Sequence, residues 1–131
     1  MILLTLLLQL IADKDDGSKL VAEIDAWLNN TRDGEFVVLV ALGSVSTFGQ
    51  QTWKAIIDAL DFLPQMRYLL AIRDAPSRTY ITNLVKKFSS DRILIHSWIK
   101  QQHVLAHPHV RVFISHGGLS SIGEAVRYIL I

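Results

Sequence analysis

The sequence contains no cysteine and only three prolines among its 131 residues. Without cysteine, disulfide bonds and cysteine-ligated metal sites are excluded, and redox chemistry says nothing about the compartment. Charge of one sign is also scarce, because 13 Lys and Arg stand against 12 Asp and Glu for a net charge of +1. Nucleic acid is therefore not expected as a main partner.

The sequence also lacks an apolar run long enough to cross a bilayer. Its start, MILLTLLLQLIADKDD, carries an apolar run of about twelve residues, whereas a spanning helix needs ~20. No Lys or Arg precedes this run and no small-x-small cleavage pattern follows it, so we expect a strand or packing segment rather than a secretory signal.

Half of the residues are hydrophobic and 19% are charged, which is too apolar for a disordered chain and typical of a packed globular protein. The length fits one domain of ordinary size. We expect an apolar N-terminal segment or linker over residues 1–17 and a single domain over residues 18–131.

The segment FVVLVAL, residues 36–42, is a continuous apolar run, typical of a strand covered on both faces in a parallel sheet. Further strands are predicted at 67–72, 92–96 and 110–115. Helical spacing of apolar residues predicts helices from about Ser18 to the NNTRDG turn, around Trp53 to Leu63, and over about 78–88, 101–106 and 120–130. The alternation predicts an α/β fold with a doubly wound, Rossmann-like parallel sheet.

Ligands of such sheets bind outside the carboxyl ends of the strands. There the turn SHGGLSS combines two glycines, which allow close approach of a ligand, with the amides of a following helix, which attract phosphate. His116, Ser120 and Ser121 add donors. Alternatively, the glycines only form a tight turn, and Ser121 with Glu124 forms a helix capping box. Glu124 would then cap the helix instead of accepting the hydroxyls of a ribose.

Two other segments lie at the same predicted edge. The loop GSVSTFG, with Ser44 at its bend, is a second candidate phosphate-facing turn. Trp98 follows a strand and is either a core residue under a loop or a flat surface on which an aromatic base stacks. Gln101 either hydrogen-bonds the edge of that base or is solvated.

Several standard sites are absent. Neither G-x-G-x-x-G nor G-x-x-x-x-G-K-S/T occurs, so dinucleotide and nucleoside triphosphate sites are poorly supported. The nucleophile elbow G-x-S-x-G is missing as well, which leaves Ser115 beside His116 without support as a hydrolase pair. His103 and His107 have the four-residue spacing of a metal-binding pair, but no Asp or Glu occurs between Arg92 and Gly123 to complete a site. We therefore expect no metal site.

The order of motifs resembles the family 1 UDP-glycosyltransferases, which include glucuronosyltransferases and glucosyltransferases. Trp98-x-x-Gln101 is followed by His107-Pro108, a strand, and His-Gly-Gly-x-x-Ser-x-x-Glu from His116 to Glu124. The similarity runs from about Lys19 to Tyr128. It implies the nucleotide-sugar-binding half of a two-domain GT-B hexosyltransferase, with UDP or a UDP-sugar as donor substrate and no cofactor.

The resemblance also implies a role for each matching residue. Trp98 stacks on uracil and Gln101 lies against the same base. Glu124 holds the ribose hydroxyls. The diphosphate is held by His116, Gly118 and Ser121, with Ser44 near the diphosphate or sugar and Ser120 at a position often filled by asparagine.

Departures from the family pattern shape the functional expectation. Lys100 stands where proline is usual, and the sequence ends before the Asp-Gln or Glu-Gln pair that touches the donor sugar. The acceptor domain, which supplies the histidine base, also has no counterpart. We therefore expect a truncated donor-binding domain, a fragment without catalytic residues of its own and inactive alone.

Two other interpretations stay open. The chain is alternatively a non-catalytic UDP-sugar-binding subunit that docks on a separate acceptor-domain chain, or a fragment that keeps the fold and binds no ligand. A cytoplasmic location is expected because plant and fungal relatives are generally cytosolic. The alternative is association with the endoplasmic reticulum membrane, where animal relatives are anchored.

Overall fold

The computed structural model of the protein describes residues 17–42, 49–115 and 119–128. Helices and strands alternate along these ranges. In chain order they are α1 (Gly17–Asn29), β1 (Phe36–Ala41), α2 (Gln50–Asp58), β2 (Met66–Ala71), α3 (Ala75–Leu84), β3 (Ile93–His96), α4 (Gln101–Leu105), β4 (Val110–Ser115) and α5 (Leu119–Tyr128).

All four predicted strands are confirmed within one residue at each end. The third predicted helix, over about 78–88, is wrong at its start, because α3 begins at Ala75. The Asp74 carboxylate accepts a hydrogen bond of 2.8 Å from the backbone N–H of Ser77, and Pro76 lies in the first turn. An N-cap aspartate followed by proline starts a helix three residues before its apolar pattern becomes visible.

The four strands form one parallel sheet in the order β3-β2-β1-β4. Their carboxyl ends are level, since Ala41 pairs with Ser115 and Ala71 with His96. The chain adds β2 and β3 on one side of β1 and then crosses to place β4 on the other side. The order thus reverses between β1 and β4, and the predicted doubly wound parallel sheet is confirmed.

Both faces of the sheet are covered by helices. Val38 and Val40 of β1 pack in a cluster with α2 and α3, which includes the buried residues Trp53 and Ile81. The alternate residues of β1 pack in a second cluster with α1, α4 and α5. The members of that cluster on β1 and α1 are Val37, Leu39, Ile24 and Leu28. Because β1 is buried on both sides, its sequence reads as an unbroken apolar run.

Arg67 of β2 is buried, with only 2% of its surface exposed. Its guanidinium donates to the carbonyls of Asp91 (2.6 Å) and Trp27 (3.1 Å) and to Oγ1 of Thr31 (2.6 Å), and it lies 3.8 Å from the centre of the Trp27 ring. Burial lowers the pKa of Arg67 from its ordinary value, although an arginine stays charged at neutral pH. The side chain therefore ties the C-terminal end of α1 to β2 and to the turn before β3.

Replacement of Arg67 by alanine should lower the free energy of unfolding by about 2 to 4 kcal/mol, since three oxygen acceptors lose their donor and a cavity forms. Chemical denaturation measures this change. Arg111→Ala, at an exposed position on β4, is the matched control and should change the same quantity by no more than about 0.5 kcal/mol. Equal effects of the two substitutions would contradict the structural role of Arg67.

Candidate functional site

The reversal of strand order between β1 and β4 defines the edge at which a ligand site is expected. The segments that follow these two strands, 43–48 and 116–118, lie outside the described residues, and with them the predicted site residues Ser44, His116 and Gly118. Ser120 lies in the first turn of α5, and its side chain is likewise outside the description. Four predicted residues remain in view: Trp98, Gln101, Ser121 and Glu124.

Three of these four residues meet between α4 and α5. The amide nitrogen Nε2 of Gln101 donates to Oε2 of Glu124 at 2.6 Å and lies 3.5 Å from Oγ of Ser121. Ser121 is buried and Glu124 is half-buried. The residues come from two segments twenty or more positions apart, and the fold brings them together beside the edge where the strand order reverses.

Local sequence explains why the two helices present these side chains to each other. Ser121, Glu124 and Tyr128 follow one another at three- and four-residue spacing, so they share one face of α5. Tyr128 packs against the second apolar cluster. On α4, Val104 and Leu105 are buried in the same cluster, which holds this short helix on the sheet with Gln101 at its first position.

The capping-box interpretation of Ser121 and Glu124 is wrong. The helix begins at Leu119, so Ser121 is its third residue and cannot be the N-cap. The Glu124 carboxylate is instead held by the Gln101 amide from another helix. The capping pattern and a carboxylate directed to a neighbouring helix look alike in sequence, and only the tertiary contact separates them.

Trp98 is not a core residue. Its side chain is half-buried and belongs to neither apolar cluster, whereas the next residue, Ile99, is 7% exposed and packs in the second cluster. Ile99 therefore anchors the loop between β3 and α4, and Trp98 keeps part of its indole accessible to a ligand. This arrangement permits stacking of an aromatic base.

Gln102 is a neighbour of the site that the sequence did not single out. Its Nε2 lies 3.5 Å from Oε1 of Glu124, so each carboxylate oxygen faces an amide donor from α4. The only signal in the sequence was its position next to Gln101. Glu124 is thus surrounded by neutral donors, and no cation is paired with it among the side chains that the structure describes.

Polar groups beyond β2 serve the fold. The hydrogen bonds from Ser77 lower the pKa of Asp74, which caps α3. Arg78 donates to the carbonyls of Ile72 and Arg73. These contacts stabilise the turn from β2 into α3 and leave Arg73 as the exposed charge there.

Across residues 17–42, 49–115 and 119–128, no group of three His, Asp or Glu side chains is placed to hold a metal ion. Within the same ranges, no helix is both long and apolar enough to cross a membrane.

A parallel sheet with helices on both faces and a reversal of strand order defines the doubly wound, Rossmann-like class of α/β fold, in which ligands bind at the carboxyl edge. The sequence pattern of the family described as UDP-glucoronosyl and UDP-glucosyl transferase matches residues 9–128. The chain therefore belongs to this family.

Individual relatives agree with this assignment. UDP-glucuronosyltransferase 3A1 of Homo sapiens is 32% identical over 109 residues, which cover 81% of this chain and 19% of that protein. UDP-glucosyl transferase 74CD1 of Saponaria officinalis is 29% identical over 102 residues, covering 78% of this chain and 21% of that protein. The chain thus spans about a fifth of the length of these curated relatives.

Solved structures show the same architecture. A variant of Os79 from O. sativa in complex with UDP has a TM-score of 0.60 and 26% identity, over 79% of this chain and 23% of that chain. The glycotransferase of kitacinnamycin has a TM-score of 0.54 and 27% identity, over 71% of this chain and 22% of that chain.

The contact between Gln101 and Glu124 should be measurable as a coupling in stability. We expect a double-mutant cycle of Gln101→Ala and Glu124→Ala to give a coupling free energy of about 1 kcal/mol, as for a hydrogen bond to a charged group that is partly exposed. The control cycle pairs Glu124→Ala with Gln102→Ala, whose longer contact should couple by less than about 0.5 kcal/mol. Equal coupling in both cycles would contradict the assigned geometry.

Proposed function

We propose that the domain binds UDP or a UDP-sugar at the carboxyl edge of its sheet and so supplies the donor-binding side of a glycosyl transfer. One observation carries the proposal: a glutamate carboxylate is held by a glutamine amide beside the strand-order reversal. Family membership and the structural likeness to a UDP complex support it.

The described side chains suit the nucleoside part of such a ligand. A carboxylate accepts two hydrogen bonds at once, which matches the two adjacent hydroxyls of a ribose. Gln101 keeps the Glu124 carboxylate oriented before the ligand arrives. The accessible indole of Trp98 offers a flat surface for uracil, and stacking of a base on an aromatic side chain contributes about 1 to 3 kcal/mol.

The proposed diphosphate site lies where β4 leads into α5. A helix N-terminus provides free amides and a partial positive charge, both of which stabilise an anion. In the proposal, His116, Gly118, Ser120 and Ser121 hold the diphosphate, and Ser44 lies near the diphosphate or the sugar. The proposed position of the phosphates is therefore beside the reversal of strand order, where β1 and β4 end.

Stabilisation of the departing diphosphate lowers the barrier of glycosyl transfer, but the acceptor hydroxyl must also lose a proton to a base. The proposed roles of this chain are all binding roles. We therefore infer that the base and the acceptor site belong to a different domain, and that this domain alone binds donor without transferring sugar.

A second form of the proposal is a UDP-sugar-binding subunit that docks on a separate acceptor-domain chain. The exposed apolar residues of α5 favour it: Leu119 is 91%, Ile122 49% and Val126 51% exposed. They follow one another at helical spacing and form one stripe. Sugar transfer that requires a second polypeptide would support this form.

Calorimetric titration with UDP tests the proposal. We expect saturable binding by the unmodified protein, and a loss of affinity of about tenfold or more for Glu124→Ala, because a charged acceptor of two hydroxyls is removed. Trp98→Ala should also weaken binding, whereas Trp98→Phe should keep most of the affinity because a phenyl ring still stacks. His116→Ala extends the test to the diphosphate side.

The matched control is Glu35→Ala. The Glu35 carboxylate accepts a hydrogen bond from the backbone of Arg32 in the turn before β1, at the amino end of the sheet. Its removal should leave UDP affinity unchanged. A folded protein that shows no heat of binding, or equal losses for Glu35→Ala and Glu124→Ala, would refute the proposed site.

A further inference from the structure

Helix α4 is held from two sides on one face of the sheet. On the side of α5, Gln101 contacts Glu124. On the side of α1, Nε2 of His103 lies 2.8 Å from Oδ1 of Asp25, and Nε2 of His107 lies 2.9 Å from Oδ1 of Asn29. Asp25 and Asn29 are four positions apart on α1, and their partners are four positions apart in the segment 103–107. The two contacts therefore lie one helical turn apart, and we call them the first and the second rung.

Such side contacts matter because α4 has little stability of its own. It is five residues long, and its N-cap residue, Lys100, makes no side-chain capping hydrogen bond. A helix of a little more than one turn is not stable without tertiary contacts. Val104 and Leu105 fix its height above the sheet, which leaves its sideways position to the polar contacts with α1 and α5.

The spacing within α4 links the two sides. Residues two apart on a helix point in nearly opposite directions. His103 therefore extends towards α1 while Gln101 extends towards α5, and a sideways shift of this short helix moves both contacts together. Any displacement that lengthens the contact of His103 with Asp25 also changes the position of the Gln101 amide relative to the Glu124 carboxylate.

The two rungs differ in chemistry. In the first, a carboxylate accepts from His103, a residue within α4. In the second, His107 lies beyond the last residue of α4, and its Nδ1 accepts from the backbone N–H of His109 at 3.3 Å. Its Nε2 then carries the hydrogen and donates to the neutral Asn29. Burial, and next the neighbouring His109, lower the pKa of His107, which favours this neutral form.

We propose that Asp25 is a positioning residue for ribose recognition, acting through His103 and α4 to place the Gln101 amide on the Glu124 carboxylate. This inference rests on the proposed function for the role of Glu124, but the chain of contacts from Asp25 to Glu124 can be tested without nucleotide. The side chains of His103 and Asp25 are 41% and 33% exposed. Loss of their contact should therefore change affinity only by the small amount typical of a solvent-exposed ion pair.

The first test compares the affinities of UDP and 2′-deoxy-UDP in the full chain. The dissociation constant of 2′-deoxy-UDP divided by that of UDP measures recognition of the 2′-hydroxyl. If Asp25 acts through Glu124, Asp25→Ala should reduce this ratio by about two- to fivefold, the range expected for an exposed pair. Asp25→Asn keeps an oxygen acceptor for His103 and should restore most of the ratio. Asn29→Ala removes only the contact of His107, which lies beyond the end of α4, and should therefore leave the ratio unchanged.

A purely structural role for Asp25 predicts a different pattern. Equal weakening of both nucleotides by Asp25→Ala, with an unchanged ratio, would overturn the inference. So would an equal change of the ratio in Asn29→Ala.

The second test follows the side-chain amide resonance of Gln101 by NMR in the free protein. Asp25→Ala should shift this resonance in the direction that Glu124→Ala shifts it, whereas Asn29→Ala should not. An unmoved resonance in Asp25→Ala would overturn the inference even if UDP binds. If UDP does not bind but the resonance moves as expected, the proposed function fails and the positioning of Gln101 by Asp25 stands.

Discussion

Burial of β1 on both faces is the constraint on which the rest of the structure depends. An apolar strand with no solvated face requires helices above and below it, and parallel neighbours reached by helical crossovers. One face is covered by α2 and α3, and the other receives α1, α4 and α5. Because α4 precedes β4, α5 follows it and both helices cover the same face of the sheet, Gln101 and Glu124 come within hydrogen-bonding distance although 23 positions separate them.

Charged and polar side chains complete what the apolar clusters leave unspecified. Arg67 reaches through the protein interior to the carbonyl of Trp27 and so fixes the end of α1 against β2. The same helix then offers Asp25 and Asn29 to the segment around α4. A line of contacts therefore runs from β2 through α1 and α4 to Glu124 on α5. The position of the candidate site residues thus depends on α1, which contacts α4 on the side away from α5.

Much of this fold was predictable from the sequence, because the relevant signals are local. The unbroken apolar run of β1 and the helical spacing in α1 predicted both the elements and the buried faces. The start of α3 was missed because a capping aspartate and a proline, not apolar spacing, define it. The first residue of the second predicted strand, Arg67, gave no sign of its burial, since its acceptors come from the end of α1, from Thr31 just after it and from the turn before β3.

The candidate site was also predictable in part. Motif spacing predicted Trp98, Gln101, Ser121 and Glu124, and the structure brings the last three together, yet spacing alone could not distinguish a cap from an interhelical contact. Isotope-labelled protein titrated with UDP and followed by NMR tests the central claim most directly. The account predicts saturable shifts at the Trp98 indole, the Gln101 side chain and the backbone of α5, with none at α2 and α3. Shifts confined to other surfaces, or none at all in folded protein, would contradict it.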